Sequence, residues 1–339
     1  MASKRIFGGL IALFFALGMV SAQAQNVTIT SLGSVSGELC ALDRAMLLQD
    51  PSGVNILIQP GRTVNAGDDR LNGIPVHVIL LDHAHGDHMG NRAGVACNGS
   101  GGTDLAPYPS IVRIAAEKNS AVLAGGELWD WIKERLIAYG EKGAATECGN
   151  NPAATEGVRT AACTAVLRPG ATRQITLNGV PTGVRISTFA VPHSNGIDGR
   201  FVDGAKGGNS GLPGGLYGYG GTETGFIIRF SNGLSVFWSG DAGFFGDMRL
   251  FSEYYGVNLA IMHIGDIFTM GPNEAAFAVN TLIKPRTVIP THVNEIATTG
   301  GVVTGSKTAS FISQVTGAKV IVPTSGDPIT CDGMGNCTK

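Results

Sequence analysis

The stretch Val78-Ile79-Leu80-Leu81-Asp82-His83-Ala84-His85-Gly86-Asp87-His88 carries the decisive signal. Pro75 to Leu81 is an apolar run with the character of a buried strand. It runs straight into three His and one Asp within six positions, in a chain that has only 7 His and 15% charged residues. His83 and His85 are two apart, so in an extended turn both imidazoles reach one ion. Asp87 and His88 follow directly and can serve a second ion nearby. Imidazole and carboxylate together are the ligand types of divalent metal sites.

Working outward, other candidate ligands also lie just past strand-like runs. Val184 to Val191 ends at Pro192-His193. Phe226 to Phe230 and Leu234 to Trp238 flank Ser231-Asn232-Gly233, a hairpin signal, and the second strand leads to Ser239-Gly240-Asp241. Leu259 to His263 reads as a strand, and Thr287 to Ile289 as another that leads to Thr291-His292. Strand ends are rigid, so several loops can aim side chains at one point. Earlier strands are expected at Val27 to Leu32, Ala45 to Leu48 and Asn55 to Ile58. Helices are expected at Glu127 to Tyr139, where Leu128, Ile132 and Leu136 recur every four residues, at Pro272 to Leu282, and at Lys307 to Val315 before a strand at Lys319 to Val322. Residues 98 to 110 read as a surface loop, and Gly196 to Gly221, with eleven Gly, as a long one. Strands and helices alternate, so the class is α/β or α+β with extensive sheet.

A chain of 339 residues has ample length for a core. Its 50 Gly indicate many turns, without the period of three that collagen needs. A formal charge of −2 argues against a nucleic-acid binder that works by counterion release, which would need a clustered basic face. Lys4 and Arg5, the apolar stretch Ile6 to Val20, and Ala22-Gln23-Ala24 form a secretory signal peptide over 1–24, cleaved before Gln25. No second apolar stretch is long enough to span a bilayer, so no stable membrane anchor is expected after cleavage, and localisation is periplasmic or secreted. Six Cys in an exported chain suggest disulfides. Cys331 with Cys337 and Cys148 with Cys163 are the easiest pairs to close, leaving Cys40 and Cys97, although six Cys allow about 15 connectivities.

His-x-His-x-Asp-His after an apolar strand resembles the metallo-β-lactamase-fold hydrolases. His193, Asp241 and His292 follow in the matching order. The segment from Ile264 through Thr269-Met270-Gly271-Pro272 looks nearest the branch related to the ascorbate-6-phosphate lactonases. The resemblance implies a four-layer αβ/βα sandwich of two mixed sheets flanked by helices, formed by one hydrolase domain over 25–339. It places His83, His85 and His193 on a first divalent ion, Asp87, His88 and His292 on a second, and Asp241 between them. Zn²⁺ is the default, with Mn²⁺ or Fe also suited. A hydroxide held between two ions would be the nucleophile, with Asp87 shuttling a proton, which agrees with the lack of a G-x-S-x-G elbow. The expected substrate is a small molecule carrying an ester, lactone or phosphoester.

Three positions depart from the family pattern. Gln59 stands where Asp is common, Ser34 where His commonly follows Leu-Gly, and Asp82 where Thr or Ser usually precedes the motif. The alternatives are a zinc β-lactamase and a redox or non-catalytic metal-binding member of the fold. Zinc β-lactamases usually lack a bridging Asp at the position of Asp241, and redox members typically replace the second His by Glu where this chain keeps His85. Of the remaining residues, His77, Trp129 and Trp131 read as packing residues, and Tyr217 and Tyr219 as loop aromatics. His263, Asp266 and Thr269 are candidates for the pocket wall.

Overall fold

The computed structural model describes residues 26–33, 37–140, 148, 153–154, 161–202 and 217–339. The expected signal peptide and Ser34 lie outside the described residues.

Alternation along the strands sorts side chains into two environments. Met46, Leu48, Ile56, Ile58, Val78 and Leu80 face a second sheet that offers Val184, Ile186, Phe226, Val236, Trp238 and Ile261. Their neighbours Leu47, Leu57, Ile79, Leu81 and Val122 face the other way, onto Ile111, Ile114, Ile132 and Leu136 of two helices. Phe237, Ala260, Met262 and Val288 of the second sheet likewise pack outward on Met248, Ala275 and Phe311. A strand covered on both faces has no polar side, which is why Val78–Leu81 is buried at every position. Stacking gives helix, sheet, sheet, helix: the expected four layers.

The first sheet runs, in spatial order, Cys337–Thr338, Pro328–Cys331, Val27–Ser31, Met46–Gln49, Asn55–Ile58, Val78–Leu81, Ala121–Ala124, Cys163–Val166. The second runs Lys319–Val320, Thr287–Thr291, Leu259–His263, Ser235–Trp238, Thr224–Arg229, Val180–Ala190, Thr172–Leu177, Ala153–Ala154. Both are mixed. Asn55–Ile58, Val78–Leu81 and Ala121–Ala124 are parallel neighbours, as are Ser235–Trp238, Leu259–His263 and Thr287–Thr291. Carboxyl ends of parallel strands are where α/β sheets present ligand-binding loops.

Most expected elements form. The exceptions have local causes. Ser110–Lys118 is a helix that begins where the expected surface loop ends, and Asn119 closes it at φ +52°. Gly196–Gly221 is not one loop: its described ends form the strands Gly196–Asp198 and Tyr217–Tyr219, paired antiparallel, with a helical turn at Gly199–Val202. The helix from Pro272 widens into a π-helix over Ala278–Ile283. His77 sits just before Val78–Leu81, buried, and its Nδ1 accepts the Asn55 N–H at 3.0 Å. No described helix is long and apolar enough to cross a membrane.

The structure pairs Cys331 with Cys337, Cys148 with Cys163, and Cys40 with Cys97. The last pair, 57 residues apart, anchors the loop that carries Asp43 and Arg44 beneath the candidate site. Converting Cys40 and Cys97 to Ser is expected to cost about 2–4 kcal/mol, read as a lower denaturation midpoint under non-reducing conditions. An unchanged midpoint would show that the loop needs no tether.

Burial lifts the Asp43 carboxyl to about 8, against opposing effects of the Cys40 N–H and Arg44. A folded value above the unfolded one gives stability that is complete below about pH 4 and lost as pH rises through about 8. Asp43→Asn therefore gains on the native chain between those limits, by at least about 3 °C in melting temperature at the alkaline end. Parallel melting curves across that range would refute this.

Candidate metal centre

Turn chemistry sets each candidate ligand. His83 leaves the end of Val78–Leu81, and the four-residue helix Gly86–Met89 carries Asp87 and His88. Gly86 packs against the Asn91 side chain, where a Cβ would collide with the amide. Gly240 at φ +63° turns the chain after Ser235–Trp238, so that Asp241 points inward. His292 takes φ +47°, unusual for a non-glycine residue. The Asp43 carbonyl holds it there, accepting from His292 N at 3.0 Å and from Thr291 Oγ1 at 2.7 Å.

All seven expected residues converge. Asp241 Oδ2 lies 3.1 Å from His88 Nε2, 3.2 Å from His292 Nε2, 3.8 Å from His83 Nε2 and 3.9 Å from His193 Nε2. His85 enters through Nδ1, 3.3 Å from His193 Nε2. Asp87 Oδ2 is 3.7 Å from both His88 Nε2 and His292 Nε2. Ligand atoms of His83, His85, His193 and Asp241 all lie within 4.8 Å of one another, and so do those of Asp87, His88 and His292. A tetrahedral ion with bonds of about 2.0–2.1 Å needs donors about 3.3 Å apart, which this spacing matches. Nε2 of His83, His88 and His292 are buried and make no well-formed hydrogen bond, an arrangement that a divalent ion between them and Asp241 would satisfy. The residues present therefore fit divalent ions.

Protonation is largely set for ligation. Burial pushes Asp87 up, but Arg44 and His88 outweigh it and hold the carboxyl well below its usual value. Asp241 behaves alike, with His292 and His88 overcoming burial. Burial and the neighbouring His83 depress His193, and with His88 as well they bring His85 to about 4, so both rings are neutral near pH 7. His88 goes the other way: burial disfavours its charge, yet Asp241, Asp87 and Asp82 raise it well above the usual value. The same carboxylates that favour charge on His88 would favour a cation beside it.

A sequence profile described as Beta-lactamase superfamily domain matches residues 38–292, more than half of the chain. The chain belongs to the metallo-β-lactamase superfamily. A UPF0173 metal-dependent hydrolase of Cupriavidus necator is 31% identical over 290 residues, spanning 84% of this chain and 82% of that one. Another, from Thermodesulfovibrio yellowstonii, is 30% identical over 261 residues, spanning 76% and 78%. Among solved structures, the metallo hydrolase Igni18 of Ignicoccus hospitalis superposes with TM-score 0.55 at 20% identity, covering 91% of this chain and 99% of its own. The metallo-β-lactamase fold protein YhfI of Bacillus subtilis gives 0.51 at 13% identity, covering 90% and 99%. At those identities the structures speak for the superfamily fold alone.

Around the seven residues stand groups that the motif did not reveal. Asp82, noted only as a departure, is fully buried: its Oδ1 is 2.8 Å from His83 Nδ1 and 3.4 Å from His88 Nδ1. Trp238 Nε1 donates to Oδ2 at 3.2 Å, and Gln59 Nε2 donates to the same oxygen. Burial opposes its charge, but His83 and His88 keep Asp82 ionised. Asp82, His83 and His88 could themselves be taken for a metal cluster. However, both Nε2 atoms point towards Asp241, and Gln59 and Trp238 already occupy Oδ2, so Asp82 is the hydrogen-bond partner of His83 Nδ1 and the nearest carboxylate to His88 Nδ1. Glu223, also buried, accepts Asp241 N–H at 2.9 Å; burial, then Asp82 and Asp241, raise it well above the usual range. His263 Nδ1 lies 2.7 Å from Asp241 Oδ1 and orients that carboxylate, while burial brings the ring to about 4. Only a carboxylate just before a strand marked Glu223 in the sequence.

A cavity of about 530 Å³ opens over the site, with Leu42, Arg44, His85, Asp87 and Phe268 in its wall. From the turn at 264–270, Phe268 lines it rather than Asp266 or Thr269. Asp266 accepts from Ile267 N, and Thr269 Oγ1 accepts from Gly265 N, so both shape the turn. Tyr217, expected to be a loop aromatic, lines an adjoining cavity of about 580 Å³ with Arg62, Asn91 and Asp198.

Proposed function

We propose that the chain is an exported hydrolase, folded as one domain over 25–339, that uses two divalent ions on a small ester, lactone or phosphoester. The observation that carries this reading is Asp241 Oδ2, within 3.9 Å of Nε2 atoms drawn from both ligand sets. His83, His85 and His193 would hold one ion and Asp87, His88 and His292 the other, with Asp241 shared and Zn²⁺ the default. Bound there, the ions supply Lewis acidity to a carbonyl or phosphoryl oxygen and lower the pKa of water towards neutrality.

The chain's own residues prepare the rest. His263 fixes Asp241 from one side and Glu223 fixes its backbone from the other. Asp87 is the carboxylate of the site with the most exposed side chain, at 24%, and lies in the cavity wall, where it can pass a proton to a leaving group. Three disulfides support export, since an oxidising compartment keeps them closed.

The test is a panel of esters, lactones and phosphodiesters, with nitrocefin alongside, assayed after chelation and after metal is restored. Metal-dependent turnover on the panel with little nitrocefin hydrolysis is expected. Substantial nitrocefin hydrolysis would instead make the protein a zinc β-lactamase. Bound metal without turnover on any substrate would favour a binding module.

A further inference from the structure

Arg44 stands among the ligands of one ion only. Its side chain is 2% exposed, and Nη2 lies 2.8 Å from Asp87 Oδ2, the oxygen that also faces His88 Nε2 and His292 Nε2. The same nitrogen is 3.2 Å from Asn294 Oδ1 and 3.3 Å from His292 Nδ1, while Nη1 donates to the Ala41 carbonyl at 3.0 Å. A guanidinium is permanently charged and has donors only. Two consequences follow. It takes up a lone pair of Asp87 and raises the potential where a second cation would sit. It also places a donor group 3.3 Å from His292 Nδ1, on the far side of that ring from Asp241. A metal-ligating histidine ordinarily has the reverse arrangement, giving its far N–H to an acceptor. His83 shows that arrangement, with Asp82 beside its Nδ1. Among the described residues, no Arg or Lys pairs with Asp241, whose partners are all histidines.

We propose that Arg44 is a built-in competitor of the second ion, so that the two metal subsites fill unequally. The subsite of His83, His85 and His193 is tight, and that of Asp87, His88 and His292 is weak and exchangeable. Arg44 is thus a positioning residue that sets metal occupancy. The inference rests on the reading of the site as two metal subsites.

Zn²⁺ alone, titrated calorimetrically into the metal-stripped full chain, with ion counts by mass spectrometry after dialysis, tests it. The native chain should take up two equivalents in two steps whose affinities differ at least about tenfold, and retain about one ion after dialysis. Arg44→Met, which removes the charge and keeps the length, should close most of that gap, while Arg44→Lys should preserve it. Two equivalents in a single step, or a second equivalent no tighter in Arg44→Met, would overturn the inference and leave the two-metal reading intact. Less than about one ion per chain under all conditions would instead sink the two-metal reading itself. If Arg44→Met does not fold by circular dichroism, Arg44→Gln, which also removes the charge, takes its place with the same expected and overturning results.

Discussion

Asp241→Asn should abolish nearly all turnover, lowering kcat/KM at least about a thousandfold, with the proposed pair of ions bound more weakly. The substitution keeps size and shape, and an amide oxygen still accepts from His263 Nδ1, now 2.7 Å from Oδ1. Removed is the negative charge among four ring nitrogens, each within 3.9 Å of Oδ2. Two cations close together need a shared anion to offset their repulsion. The remaining carboxylate of the second set, Asp87, is already engaged by Arg44. The loss should therefore appear in kcat as well as KM, because a site that cannot hold its ions loses chemistry and not only substrate affinity. Kinetics on any substrate the native chain hydrolyses, with ion counts and circular dichroism on the same preparation, check this. A folded variant with a full metal complement and more than about a tenth of native kcat/KM would remove Asp241 from the centre of the mechanism.

The histidines were legible because a short strand places neighbouring residues where arithmetic says they must be. Two apart after Leu81, His83 and His85 reach one region whatever the rest of the chain does. The strands Asn55–Ile58 and Leu259–His263 were equally legible, being short apolar runs between turn residues. What stayed hidden depends on contacts between distant segments. Arg44 meets His292 across 248 positions, and Asp82 meets Trp238 across 156. Neither pair leaves a local pattern. Ser110–Lys118 is hidden for a different reason: it opens directly behind a Gly- and Pro-rich segment, and its burial, at Ser110, Ile111, Val112, Ile114, Ala115 and Ala116, covers too much of a short helix to leave a clear one-face pattern. The departures Gln59 and Asp82 are visible as residues, but only the sheet shows that they are partners.

That partnership yields the second large effect. Gln59 follows Asn55–Ile58 and Asp82 follows Val78–Leu81, and these strands are parallel neighbours. The resemblance leads one to expect Asp at 59 and Thr or Ser at 82, whereas this chain has an amide at the first place and a carboxylate at the second. Relative to that expectation the carboxylate stands one strand over, and Gln59 donates to it. There the carboxylate lies beside Nδ1 of His83 and Nδ1 of His88, one ring from each proposed ligand set, and so orients both. Outer partners of this kind typically contribute about 10- to 100-fold in metal affinity or activity. Asp82→Asn should lose that much in Zn²⁺ retention against a chelator, with a similar loss of turnover. A purely structural role predicts that a second change nearby adds damage. An orienting role predicts the opposite for Gln59→Asp combined with Asp82→Thr, which returns a carboxylate to the neighbouring strand beside the same buried pocket. The double variant should recover most of the lost retention, and Gln59→Asp alone, which sets two buried carboxylates side by side, should be worse than native. A double variant no better than Asp82→Asn, or an Asp82→Asn that holds Zn²⁺ as the native chain does, would show that the rings need no carboxylate behind them.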